Sequence, residues 1–149
     1  MSRRRKRGEQ KQAVGRSRGG RNTKIHALAD VKGRLIAILL TGGEAHDCPV
    51  ADRLIRRVRR AKRMLGDKAY DSAELREELD GHATKSVIPN RSNRKRLFSF
   101  SARLYKLRWR IEAAFNRLKD FRRVATRYDR LARNYLASVC LAAALAWWI

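Results

Sequence analysis

Acidic residues are scarce in this sequence: 14 Asp and Glu stand against 37 Lys and Arg in 149 residues, a net charge of +23. Self-repulsion at such a charge opposes compaction, and a polyanion relieves it by neutralising cations and releasing counterions. The imbalance therefore points to a polyanionic partner, with nucleic acid the leading candidate. Cysteine is nearly missing as well. Cys48 and Cys140 have no CxxC or Cys/His spacing around them, which excludes a zinc module and a disulfide scaffold and fits a reducing cytosol. Long apolar runs are also lacking. The charge-free stretch at 136–149 has 14 residues, short of the roughly 20 that cross a bilayer as a helix, so we expect a buried core helix and no membrane association. No apolar segment follows the basic N-terminal run, so a secretory signal is not expected and the expected location is cytoplasmic, at the nucleoid.

What is present is enough for a core. Hydrophobic residues make up 44% of the chain, which suits one ordinary domain and excludes a wholly disordered basic tail. Arginine supplies 27 of the 37 cations, and its planar fork grips phosphate with two donors, although coding bias in a GC-rich genome is a competing source of arginine. The cations cluster: ten fall in residues 1–24, seven in 53–63 and fifteen in 91–149, while 25–52 and 64–90 lean acidic. Residues 1–22, rich in Arg, Gly, Ser and Gln, read as a flexible basic arm, and 23–149 as a folded domain.

Within that domain, residues 23–29 and 35–40 read as strands joined by a Gly-containing turn. Asp47 and Pro49 begin a basic helix expected to run to about Arg63. A strand over 64–66, a short helix near 74–79, a strand over 86–88 and a basic loop over 90–100 follow. From Ala102 the pattern is helical to the end, with a break near 127–129. The order β-β-α-β-α-β-α-α is a mixed α/β domain.

The chemistry concentrates on the helix expected over 104–121. At 100° per residue, Tyr105, Arg108, Glu112 and Lys119 fall within about 60° of one another and form a polar stripe. Leu104, Leu107, Ile111, Phe115 and Leu118 form an apolar stripe beside it that can dock on a sheet. Glu112 is the one acid between Asp80 and Asp120. A carboxylate in such basic surroundings suits a metal or acid/base role, and an intrahelical ion pair with Arg108 is the alternative. Asp67 ends a short strand, where α/β sheets present functional groups, and it fits a turn or cap equally well. Spacing leaves these alternatives open. Arg122, Arg123 and Arg127, with the block at 53–63, are candidates for DNA-backbone contact or for a solvated helix face.

Tyr105-x2-Arg108-x3-Glu112-x6-Lys119 resembles the signature of IS4/IS5-type insertion-sequence transposases, which carry a DDE catalytic triad. The block from Gly15 to His26, which contains Arg16, Arg18 and Lys24, resembles the IS5 group too. So do Leu40-Thr41-Gly42-Gly43, Gly66-Asp67-Lys68-Ala69-Tyr70-Asp71 and the block from Phe121 to Asp129. The resemblance implies a ribonuclease-H-like mixed sheet with flanking helices, in which three carboxylates hold two Mg²⁺ ions. Carried over by position, Asp67 and Glu112 are the second and third acids and the metal ligands. Tyr105, Arg108 and Lys119 would support the site and the DNA ends; as for the cations, Arg16, Arg18, Lys24, Arg122, Arg123 and Arg127 are our candidates for DNA binding. Two hard cations about 3.5–4 Å apart would activate water or a 3′-hydroxyl and stabilise the leaving oxygen of a phosphodiester. Transposon ends and target would be the double-stranded substrates.

The first acid of that triad, on an Asp-Ser/Gly-Thr motif upstream of Gly15, has no counterpart: Glu9 lies in the arm, and Asp30 and Asp47 fall on the wrong side of the hairpin. The chain therefore resembles the C-terminal portion of a longer transposase, either a second reading frame joined by frameshifting or a truncated copy. We expect an incomplete sheet lacking its first, central strand, marginal stability, and little cleavage without the upstream product or a full-length transposase. A basic DNA-binding protein or regulator of transposition without catalysis is the competing reading.

Overall fold

The structure, a computed structural model, describes residues 12–18, 20–58 and 60–149. In chain order the strands and helices are β1 (Gly15–Ser17), β2 (Gly20–Ala29), β3 (Leu35–Gly42), α1 (Asp47–Ile55), β4 (Arg63–Leu65), a 3-10 turn (Lys68–Tyr70), α2 (Ala73–Gly81) and β5 (Lys85–Val87). Then come α3 (Ala102–Tyr105), a second 3-10 turn (Lys106–Arg108), α4 (Trp109–Lys119), α5 (Arg122–Ala125) and α6 (Ala132–Trp147). The chain is mixed α/β, with a three-stranded antiparallel sheet ordered β1-β2-β3 and a separate parallel pair β4-β5. It divides into two compact units: residues up to Ala45 with Ile111–Ile149, and His46–Arg110.

The first unit is built on the β2-β3 hairpin, in register with Ile25 opposite Leu40 and Ala27 opposite Ile38. Its turn is the one the sequence suggests. Asp30 Oδ1 accepts the N–H groups of Lys32 and Arg34 at 2.9 and 3.0 Å, and Gly33 takes φ +80°, a left-handed conformation that costs a side chain little only when there is none. Leu35 packs in a core with Ala114 and Leu118 of α4, Val124 of α5, and Tyr135, Val139, Ala142 and Ala143 of α6. Ile111 and Phe115 pack against that cluster, so this part of the expected apolar stripe docks as foreseen. Leu107 does not; it is exposed. Residues 106–108 wind as a 3-10 turn, whose roughly 120° per residue breaks the 100° phase of the stripe.

Three expectations need correction here. The strand order begins earlier than Thr23: Gly15, Arg16 and Ser17 pair with Asn22, Arg21 and Gly20, and Gly20 reverses the chain at φ +102°. Within the expected 1–22 arm, Gly15–Ser17 and the start of Gly20–Ala29 are strand, and residues 1–11 and 19 lie outside the described residues. The single helix expected over 104–121 is α3, a 3-10 turn and α4, which stops at Lys119. The C-terminal helix is buried on one face only, with Leu141 and Leu145 exposed on the other. No helix among the described residues is long and apolar enough to cross a membrane.

In the second unit β4 and β5 run parallel, Met64 opposite Ser86, with α2 crossing between them. Ala51 and Ile55 of α1, Leu75 and Leu79 of α2, and Ile88 form its core, with Met64 and Tyr70 against it. Ser72 caps α2 through a 3.1 Å bond from the Leu75 N–H. The helix expected to reach Arg63 ends at Ile55. Its buried positions, Val50, Ala51, Leu54 and Ile55, run out there, leaving the basic residues that follow without an apolar stripe to continue the helix.

Candidate functional site

Asp67 stands just past the end of β4, where Gly66 donates to the Val87 carbonyl at 3.3 Å. Extended backbone there (φ −79°, ψ 176°) frees the side chain to turn back, and Oδ1 accepts the Ala69 N–H at 2.9 Å. The cap reading of Asp67 is therefore realised. Oδ2 at the same time faces Arg108, 3.8 Å from its Nη1, with the two side chains 40% and 28% exposed. At that exposure the pair is a weak stabiliser and an accessible one. Behind it, burial pushes the Tyr70 hydroxyl up to about 12, and the charges of Asp47 and Asp67 act in the same direction. The Cys48 thiol donates to the Ala69 carbonyl at 3.0 Å. One carboxylate, one guanidinium and a proton-retaining phenol thus share the end of β4.

Tyr105 and Arg108 are three residues apart across the second 3-10 turn, where i and i+3 eclipse, and the Arg108 guanidinium lies 5.7 Å from the Tyr105 ring centroid. Phe100 meets the same ring edge-on at 5.3 Å. Glu112 occupies the first turn of α4 and Lys119 its last, the signs that the helix dipole favours at each end, and both are exposed. The structure therefore brings Asp67, Arg108 and Tyr105 into one unit, while Glu112 and Lys119 belong to the other. Among the described residues no group of three or more His, Cys, Asp or Glu could hold a metal ion.

The basic candidates separate by what their donors do. Arg16, Arg18 and Arg122 are exposed, and so is Arg123, which pairs with Asp129 at 3.3 Å. Lys24 is half-buried and donates from Nζ to the Ala45 carbonyl at 2.8 Å. Arg127 is spent on the fold: Nη1 reaches Thr23 Oγ1 at 2.6 Å and the Ala13 carbonyl at 3.3 Å, Nε the Asp129 carbonyl at 2.9 Å, and Nη2 the Arg130 carbonyl at 3.0 Å. It staples the 121–129 block to the start of the hairpin.

Sequence reasoning missed the buried charge at Asp71. Its side chain is fully buried, accepts Arg76 Nε at 3.0 Å, Arg94 Nε and Nη2 each at 2.8 Å, and the Arg91 N–H at 2.7 Å. Burial alone would raise its carboxyl, but these donors overcome that and hold it at about 2. Arg76, itself buried, completes its fork on Ser86 Oγ at 3.2 Å and the Ile88 carbonyl at 3.0 Å. An arginine inside the apolar face of α2, five residues after an aspartate, was the available signal.

Over residues 2–147 the chain matches the family described as transposase DDE domain. It is 36% identical over 129 residues to a putative transposase for insertion sequence element IS6501 of Brucella ovis, an alignment that takes in 84% of this chain and 97% of that protein. A putative transposase for element IS402 of Burkholderia cepacia is 31% identical over 137 residues, 85% of this chain and 63% of that protein. A transposase for element IS1106 of Neisseria meningitidis serogroup B is 28% identical over 128 residues, 79% and 44% respectively. No solved structure matches the chain.

Proposed function

The chain belongs to the transposase DDE domain family of insertion-sequence transposases, and from that membership we propose that it takes part in DNA transposition of the IS5 type, as one portion of a ribonuclease-H-like cleavage and strand-transfer site. The observation that carries the reading is the meeting of Asp67 with Arg108: an acid at a strand end and the arginine of the Tyr105-Arg108-Glu112-Lys119 pattern, far apart in sequence, face each other at 3.8 Å. Carboxylate oxygens are the donors that a hard cation such as Mg²⁺ takes. Asp67 and Glu112 alone do not make such a site, since no third acid joins either among the described residues and Asp67 Oδ1 is engaged by a backbone N–H. We therefore assign Asp67 and Glu112, each within its own unit, as two of the acids that DDE chemistry uses, the remaining acid coming from the upstream-frame product or from a full-length transposase.

Asp67 and Glu112 would present oxygen donors, Arg108 would orient the Asp67 carboxylate, and Tyr105 would fix Arg108 by its ring face. Lys119 and the exposed Arg16, Arg18, Arg122 and Arg123 would neutralise phosphates of double-stranded transposon ends and target, in the cytoplasm at the nucleoid. Purified alone with Mg²⁺, the chain is expected to bind duplex DNA and leave it uncut. Supplying a polypeptide with the missing acid should restore nicking at transposon ends, and Asp67→Ala should abolish it. Mg²⁺-dependent nicking by the lone chain that Asp67→Ala removes would sink the shared-site assignment.

The competing reading, a basic DNA-binding regulator without catalysis, draws support from the charge of +23. Glu112→Gln separates the two. It should leave DNA affinity equal or higher while removing the activity of the reconstituted enzyme; a reconstituted enzyme indifferent to it favours the regulator.

A further inference from the structure

Residues 89–100 form neither helix nor strand, yet side chains hold them in place. Asn90 closes the loop on itself: Nδ2 donates to the Phe98 carbonyl and Oδ1 accepts the Phe98 N–H, both at 2.9 Å, as a neighbouring strand would. Asp71 anchors the interior through the Arg91 N–H and the Arg94 guanidinium. The Phe98 ring packs under two cations, Arg76 at 4.4 Å and Arg94 at 4.8 Å. The Arg91 side chain, finally, ties the loop to the turn that Asp67 caps, donating to the Lys68 carbonyl at 3.2 Å and the Ala69 carbonyl at 3.1 Å.

The anchors engage Arg91 and Arg94; apart from the half-buried Arg94, the residues between Arg91 and Phe98, which are Ser92, Asn93, Lys95, Arg96 and the apolar Leu97, are exposed. The buried Asp71 carboxylate, by gathering two guanidinium groups and a backbone N–H, fixes the loop backbone while it also stabilises the fold. The arrangement makes sense as preorganisation: the loop backbone that carries two exposed cations and two small polar side chains is fixed, through Arg91, to the turn that Asp67 caps, so that binding a polyanion spends less on ordering the loop. We propose that residues 92–96 form a phosphate clamp that seats one DNA strand against the Asp67 turn, with Lys95 and Arg96 as the backbone-neutralising cations. The proposal rests on the reading of DNA as the substrate.

The test is fluorescence anisotropy of the full chain with a short fluorescein-labelled duplex over a range of NaCl. Each phosphate contact contributes about 0.9 to the slope of log affinity against log salt, so Lys95→Ala with Arg96→Ala should lower that slope by about 1.8. The charge-matched control Lys32→Ala with Arg133→Ala should keep the wild-type slope. Asn90→Ala keeps every cation but opens the loop, and is expected to weaken binding several-fold at unchanged slope, with circular dichroism confirming the fold. A wild-type slope in the loop double variant overturns the clamp while DNA binding by the chain stands. Wild-type affinity in Asn90→Ala overturns the preorganisation. Failure of the wild-type chain to bind duplex at any salt overturns the clamp and the underlying reading together.

Discussion

At Asp71 burial and hydrogen bonding pull the carboxyl in opposite directions, and the donors win, holding it at about 2. The unfolded chain would protonate the same group near pH 4, so the stabilisation it contributes is fully present above that pH and is lost as pH falls toward 2. A depression of this size amounts to about 2 kcal/mol. Denaturant unfolding followed from neutral to acid pH should show that limb in the wild type and lose it in Asp71→Asn. The same substitution leaves Arg76 buried without its counter-ion and should cost about 3–5 kcal/mol at neutral pH. An acid limb that survives Asp71→Asn would assign it to another carboxylate. Arg127 offers a contrast at the same scale. Sequence alone makes it one more cation in a DNA-binding block, whereas its donors are spread over four oxygens of the fold, so Arg127→Ala should lower stability more than it lowers the salt dependence of DNA binding.

Among the elements, the hairpin shows how far residue pattern reaches. Asp30 and Gly33 announce the turn, and Gly33→Ala, forced into a left-handed conformation, should destabilise the chain by about 1–2 kcal/mol in urea unfolding. A neutral outcome would mean the turn repacks. The α4 face carrying Ile111, Phe115 and Leu118 was legible for a related reason: helical periodicity and burial agree there. Periodicity could not show the 3-10 winding of 106–108, since three residues are too short a window to set a phase, and Leu107 was misplaced as a result. β1 was hidden because Gly, Arg and Ser carry no alternation; its pairing depends on Gly20 reversing the chain and on Gly15 and Gly42 leaving room for the Glu44 side chain. Of the candidate site, helical spacing and motif single out Asp67, Arg108 and Tyr105, which the structure places near one another, and the Asp71 anchor was missed because its partners lie 5 and 23 residues away in sequence.

For the whole molecule the dominant quantity remains a charge of +23, which raises the free energy of any compact state. DNA binding to the folded form should therefore stabilise it through linkage. Thermal melts with a short duplex should show a higher Tm at low salt and no shift at about 1 M salt, where the Debye length is near 3 Å; a salt-independent shift would point to non-electrostatic binding. The Asn90 clasp on Phe98 has one more consequence. By bridging both backbone groups of Phe98 it fixes the ends of the 90–98 loop independently of what lies between Arg94 and Leu97. Loop-closure entropy changes by only about 0.6 kcal/mol per doubling of length. The stretch at Lys95 and Arg96 can thus gain, lose or exchange residues with little cost to the frame, while the Asp67 turn stays put.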